Sequence, residues 1–306
     1  MSQPPQPASR PDLDRDKLSI FLLEQSGVRG ALVRLDAAWQ AIVSRNDYPA
    51  PVAARLGETC AAAALFTGHA KVDGRLSVQL RGTGALRTLF AECTAAGTVR
   101  GIAHYEAPLP EPLTPRAFGP GSVLAITIES QPPGAHEMVR YQGMVGLDAD
   151  TLSEAFEGYF AQSEQLPTRG LLVADERRAA GLLIQQLPEG QRDADGFARA
   201  SALFDTLGPH ELLGLDSQTL LYSLFHEDEV RLLGERPLAF GCSCSRERVA
   251  SMLVSLGEYE ALAAAADGEA KVRCEFCGEQ YIFTEAEVRT LLQAHASDLE
   301  APERSQ

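Results

Sequence analysis

A chain of 306 residues, 45% hydrophobic and 23% charged, is long enough for one or two packed domains and too apolar to stay unfolded. Its 27 Lys and Arg stand against 42 Asp and Glu, a net charge of −15, which disfavours binding to nucleic acid or to an anionic membrane surface. Its uninterrupted apolar runs, such as Ala61–Phe66 and Ala261–Ala266, fall far short of the roughly 18 residues of a membrane span.

The opening MSQPPQPASRPDLDRDK has no apolar core. Neither a secretory signal nor a transit peptide is expected, and residues 1–16 read as a disordered tail on a cytoplasmic protein with reduced thiols. The runs IFLL and VRGALVRL between Lys17 and Leu35, broken at Ser26-Gly27, predict two strands. Asp36 opens an Ala-rich helix through Val43, and a second helix from Ala50 to Phe66 keeps Val52, Leu56, Ala61 and Leu65 on one apolar face. VDGRLSVQL, ALRTLFAEC and TVRGIAHYE, separated by Gly-bearing turns, predict an antiparallel meander. A proline-rich loop over 107–121 leads to the strands SVLAITIES and EMVRYQGMV. Thr151 with Glu154 forms a capping-box pattern for a helix through Gln162, and the runs LLVAD and GLLIQQL follow. Residues 17–190 therefore predict an α+β domain with a mostly antiparallel sheet.

The polar segment Gly190–Gly196 marks a boundary. ALFDTL, HELLGL and TLLYSLFHE then read as short helices broken at Gly208-Pro209 and Gly214. They make a helical linker, 191–241, that depends on its neighbours for stability. Leu203, Phe204, Leu207, Leu220, Leu221, Leu224 and Phe225 form stripes that need cover from the domains on either side. A charge at Tyr222 is expected to break this linker.

Four of the six cysteines fall within the last third of the chain as Cys242-x-Cys244 and Cys274-x-x-Cys277. Two close pairs in a reducing compartment point to a tetrahedral four-thiolate zinc site. The first pair departs from the Cys-x-x-Cys knuckle of an ordinary zinc ribbon. It leads into a helix with Val249, Met252, Leu253 and Leu256 on one face. The second pair sits between two strands, and Thr284 with Glu287 opens a closing helix. Residues 242–306 form a small domain that needs its metal. They carry 6 Lys and Arg against 12 Asp and Glu, which argues against a nucleic-acid-binding zinc module. Arg246, Arg248 and Arg273 would favour thiolate once the metal leaves.

Cys60 and Cys93 lie in apolar settings and read as small hydrophobes. Gly82-Thr83-Gly84 reads as a tight turn, because position 87 is Arg and no helix follows. Neither a phosphate-binding loop nor a G-x-S-x-G elbow is present, the six histidines do not pair at metal spacing, and His226 reads as a solvated helix end. On these residues alone, a constitutive zinc-stabilised interaction module and an enzyme with a catalytic N-terminal domain remain as alternatives.

At Cys242-Ser243-Cys244-Ser245-Arg246-Glu247-Arg248 and Cys274-Glu275-Phe276-Cys277, followed by Tyr281 and Phe283, the chain resembles the bacterial redox-regulated 33 kDa heat-shock chaperones. LLEQSGVRGALVRL, LGETCAAAALFTG, YFAQSEQLPT, AAGLLIQQLP and LFHEDEVRLL carry the likeness over nearly the whole length. The resemblance implies an α+β N-terminal domain, a helical linker and a C-terminal zinc domain. It also implies an ATP-independent holdase, not an enzyme. One zinc is held in the reduced, inactive form by Cys242, Cys244, Cys274 and Cys277. Hypochlorite, or peroxide with heat, converts these cysteines to two disulfides and expels zinc, and the linker unfolds. The partners implied are unfolding client proteins and ATP-driven foldases that take the clients over, with a homodimer of the oxidised form. Cys60 and Cys93 match no motif of the family. Pairing of sequence neighbours, Cys274 with Cys277 and Cys242 with Cys244, closes the shortest loops.

Overall fold

The computed structural model describes residues 15–69, 72–131, 138–188 and 195–300, with side chains through 295. The expected tail lies almost entirely outside these residues, as does most of the boundary segment at 190–196. The chain divides into two compact units, Met1–Gly241 and Cys242–Gln306.

In the first unit, β1 (Lys17–Leu23) and β2 (Val28–Leu35) form a hairpin whose turn places Gly27 at φ 65. The short α1 (Ala37–Val43) and the long α2 (Ala50–His69) follow. Strands β3 (Gly74–Arg81), β4 (Leu86–Thr94) and β5 (Thr98–Tyr105) make the expected meander, extended by β6 (Val123–Ser130) and β7 (Val139–Gly146). The Gly82–Gly84 turn closes on the Phe118 carbonyl, which accepts from both Thr83 and Gly84 amides. A Cβ at either glycine would stand 2.1–2.2 Å from a backbone oxygen, so only glycine fits. Helix α3 (Leu152–Ser163) starts on a complete Thr151/Glu154 capping box. Next come β8 (Thr168–Ala174) and β9 (Ala179–Gln186), then α4 (Gly196–Phe204), α5 (Pro209–Gly214) and α6 (Ser217–Phe225).

Residues 230–240 differ from the helical reading. They form β10 (Val230–Pro237), antiparallel to β1, and β11 (Ala239–Phe240), parallel to β5. Alternating cross-strand partners supply what VRLLGERP lacks as a helix, whose interior cannot accommodate Gly and Pro without loss.

Two sheets result, in the orders β10-β1-β2-β9-β8 and β11-β5-β4-β3-β6-β7. Helix α2 packs against strands of both. It is therefore buried on every side from Leu56 to Gly68, not on the single face its periodicity suggested. Its Ala61–Ala64 run and Gly57, where a Cβ would come within 2.5 Å of Ala174 Cβ, let the strands approach. The opposite face of the first sheet, with Phe21, Leu23, Val28, Leu32, Ala180, Leu182 and Ile184, is covered by α4–α6 through Ala200, Phe204, Leu207, Leu212, Leu220, Leu221, Leu224 and Phe225. Strands covered on both faces carry apolar residues at nearly every position, as VRGALVRL and AAGLLIQQ do. Tyr222 is 71% exposed, so a charge there meets water and does not break α6.

The second unit contains α7 (Arg246–Ser255), α8 (Glu258–Ala264), the hairpin of β12 (Glu269–Arg273) and β13 (Gln280–Thr284), and α9 (Glu285–Glu300). Gly257, at φ 86, separates α7 from α8. Its core is Val249, Leu253, Ala261, Ala265, Ala270, Phe283 and Val288. Met252 and Leu256 are 40% and 50% exposed, so the apolar face of α7 is narrower than its sequence suggested.

Candidate metal centre

Cys242 and Cys244 immediately precede α7, whose N-cap Ser245 accepts from the Arg248 amide. The Arg248 guanidinium donates to the Ser243 carbonyl at 2.6 Å and braces the Cys-x-Cys loop. Cys274 and Cys277 sit in the β12–β13 turn. There the Cys274 amide donates to Glu279 O and the Gly278 amide to Cys274 O, both at 2.8 Å, with Gly278 at φ 76. Arg246 joins α7 to the hairpin and α9: it donates to Ile282 O and Glu287, each at 2.8 Å, and lies 4.1 Å over the Phe283 ring. Thr284 and Glu287 form the reciprocal cap of α9.

These elements bring all four expected cysteines together. Their sulfurs lie within 4.8 Å of one another. Cys242 Sγ is 3.7 Å from Cys274 Sγ and Cys244 Sγ 3.3 Å from Cys277 Sγ. Four sulfurs at about 2.3 Å from a tetrahedral zinc stand about 3.8 Å apart, so the thiols present fit that ion. The four thiols also compete for one negative charge. At Cys242 burial opposes ionisation, but the Cys244 amide and the neighbouring thiols outweigh it and bring that thiol down to about 7. Burial and the other three sulfurs push Cys277 up to about 12. A divalent cation at the centre would relieve this competition.

Tyr281, named above only within the motif that carries the resemblance and given no role there, belongs to the site. Its hydroxyl donates to Cys244 Sγ at 3.1 Å, and that bond pushes the phenol pKa up, so it remains a donor. Strand alternation could have found it, since Tyr281 shares a face of β13 with buried Phe283. In this structure Arg246 and Arg248 brace backbone carbonyls and Glu287.

Cys60 on α2 and Cys93 on β4 are fully buried, and burial raises both thiols, Cys93 to about 11. They are small hydrophobes of the core, as expected. His226 is the exposed C-cap of α6. Among the described residues, no helix is long and apolar enough to cross a membrane.

The family model described as Hsp33 protein matches residues 16–284. The 33 kDa chaperonin of Ectopseudomonas mendocina is 45% identical over 93% of this chain and 97% of its own length. That of Chromobacterium violaceum is 39% identical over 90% and 93%. The crystal structure of the 33 kDa chaperonin of Thermotoga maritima shares the fold with a TM-score of 0.78 at 22% identity, covering 92% of this chain and 99% of that one. With a family match over most of its length and relatives at this identity, the chain belongs to the Hsp33 family of chaperones.

Proposed function

We propose that the chain is an ATP-independent holdase, silent when reduced and zinc-loaded and switched on by oxidation of Cys242, Cys244, Cys274 and Cys277. The observation that carries this reading is the convergence of four sulfurs within 4.8 Å on a unit whose buried core is seven residues, three of them alanine. Bound zinc, one per chain, would keep the sulfurs as thiolates and tie the segment before α7 to the β12–β13 turn.

Each thiolate pair gives two electrons to hypochlorite or peroxide, forming one S–S bond as the oxidant is reduced to chloride or water. The nearest sulfurs in the reduced form lie across the two segments, Cys242 to Cys274 and Cys244 to Cys277. Once the cage opens, only residues two or three apart in sequence remain close. Cys274 therefore pairs with Cys277 first, and the more strained Cys242–Cys244 ring closes second. That pairing removes the ligand set.

Loss of the small unit's fold then releases the linker, residues 191–241. Its helices α4–α6 leave the first sheet and uncover the face built on Phe21, Leu32, Leu182 and Ile184 for unfolding clients. In this reading, clients pass from an oxidised, homodimeric chain to ATP-driven foldases in the cytoplasm. The test is light scattering of a thermally aggregating protein without ATP, with reduced and peroxide-treated chain in parallel and zinc measured in both. Suppression by the oxidised chain alone, with zinc released, supports the reading. Equal suppression by both forms would make the chain a constitutive binder.

A further inference from the structure

The helices over the first sheet are short, and α5 is the shortest, Pro209–Gly214. A helix of six residues has no stability of its own, and its last carbonyls have no partner within it. Two guanidinium groups converge on that end. Arg34, on β2 and 3% exposed, donates from Nη2 to Leu212 O at 2.9 Å and Leu213 O at 3.2 Å, and from Nη1 to Leu215 O. Arg178, just before β9, donates from Nη1 to Leu213 O and from Nε to Asp36 Oδ1 at 2.6 Å. Positive charge at a helix C-terminus is favourable, and a buried guanidinium requires such acceptors. Each side therefore depends on the other. An apolar residue at position 34 would complete the surrounding apolar face, whereas arginine is well accommodated in water once α5 departs. The charge makes docking conditional.

We propose that Arg34 is the positioning residue that sets whether α5 and α6 are docked, with Arg178 as a second arm on the same turn. Its guanidinium holds the carbonyl end of α5 on the sheet and keeps the client surface covered in the resting chain. This rests on the reading of α4–α6 as the cover. Nothing in the sequence around position 34 marks this role, because the element that caps it lies about 180 residues away.

The test compares wild type with Arg34→Met, Arg34→Lys and Arg178→Met as full-length, reduced chains with zinc measured at one equivalent. In Arg34→Met, amide exchange over 209–225 should rise at least tenfold while α2 and β4 stay unchanged, and aggregation suppression should appear without oxidant. Arg34→Lys, which keeps the charge, should recover part of the protection, and Arg178→Met should loosen the same segment to a smaller extent. Unchanged exchange over 209–225 in both Met variants overturns the proposal. So does a uniform rise across α2 and β4, which marks a merely structural role. If Arg34→Met does not fold, Arg178→Met decides by the same two readouts. Loosened helices without suppression, together with an inactive oxidised wild type, would fault the holdase reading and leave the latch standing.

Discussion

Removing the metal from the reduced chain should unfold residues 242–295 and leave the two sheets around α2 in the first unit intact. A structural zinc site contributes about 10–16 kcal/mol to the fold that holds it. At about 0.05–0.15 kcal/mol per residue, a domain the size of Cys242–Gln306 has a total stability of only about 3–10 kcal/mol. The core shows why little remains without the metal: of its seven buried hydrophobic side chains, only Val249, Leu253, Phe283 and Val288 are larger than alanine. The hairpin has five-residue strands and its turn is where two of the sulfurs sit. The assay is amide exchange after chelation under reductant. The amides of α7, β12 and β13 should exchange at unfolded rates, those of α2 should stay protected, and added zinc should restore the first set. Persistent protection of α7 and the hairpin in metal-free chain would refute this, as would a full equivalent of zinc in Cys274→Ser.

Leu220→Ala should destabilise the docked helices by about 2–5 kcal/mol, because Leu220 is fully buried against the sheet. Open linker then rises about 30-fold or more, read as partial holdase activity of the reduced chain, whereas Tyr222→Glu at an exposed position should leave both exchange and activity unchanged. Tyr281→Phe removes the donor on Cys244 Sγ, worth about 1 kcal/mol. Peroxide should then oxidise Cys244 several-fold faster at unchanged zinc content, as followed by thiol trapping and mass spectrometry. The pH dependence of the first unit should expose two opposed groups. Burial raises the Glu58 carboxyl to about 7, so its contribution is lost as pH rises from about 4.5 to 7. Burial lowers His69 to about 4, so its contribution is lost as pH falls from about 6.5 to 4. Wild-type melting should be nearly flat where the windows overlap, and Glu58→Gln should melt at higher temperature as pH is raised from about 4 to 6.5.

Much of the fold was legible because hydrophobic period and punctuation agreed along the chain. The β1–β2 hairpin, the meander, the Thr151/Glu154 cap and the strand–turn–strand around Cys274 and Cys277 all follow from local pattern. The metal-ligand candidates were legible for the same reason, since cysteine spacing is a local property. What escaped is set by distant contacts. Burial of α2 on every side requires knowing that two sheets enclose it. VRLLGERP becomes a strand because β1, more than 200 residues earlier, offers an open edge. Arg34 acts through partners on a distant element, which no window along the chain contains, and Tyr281, although strand alternation marks its face, meets Cys244 only in the folded chain.

β10 has a consequence for how any event at the cysteines can travel. The helices that cover the first sheet end at Phe225 and the cysteines begin at Cys242, and between them the chain is stitched into the sheet edge. Seven cross-strand partners hold β10 to β1, with a slip in register at Ile20/Phe21. Further ties are the Asp228 carboxylate on the Gln25 and Ser26 amides and the ion pairs Lys17–Glu235 and Arg231–Glu24. Slack on the cysteine side therefore stops first at Phe240, where β11 pairs with β5, and reaches the β10 seam at Pro237 only once that short pairing opens; an edge strand can then peel from its end, one pair at a time, without disturbing the strands behind it. The chain thus contains a zipper in series with its cysteine cluster. How far that zipper runs, from Pro237 back towards Val230, would grade the response to oxidation instead of leaving it all or none.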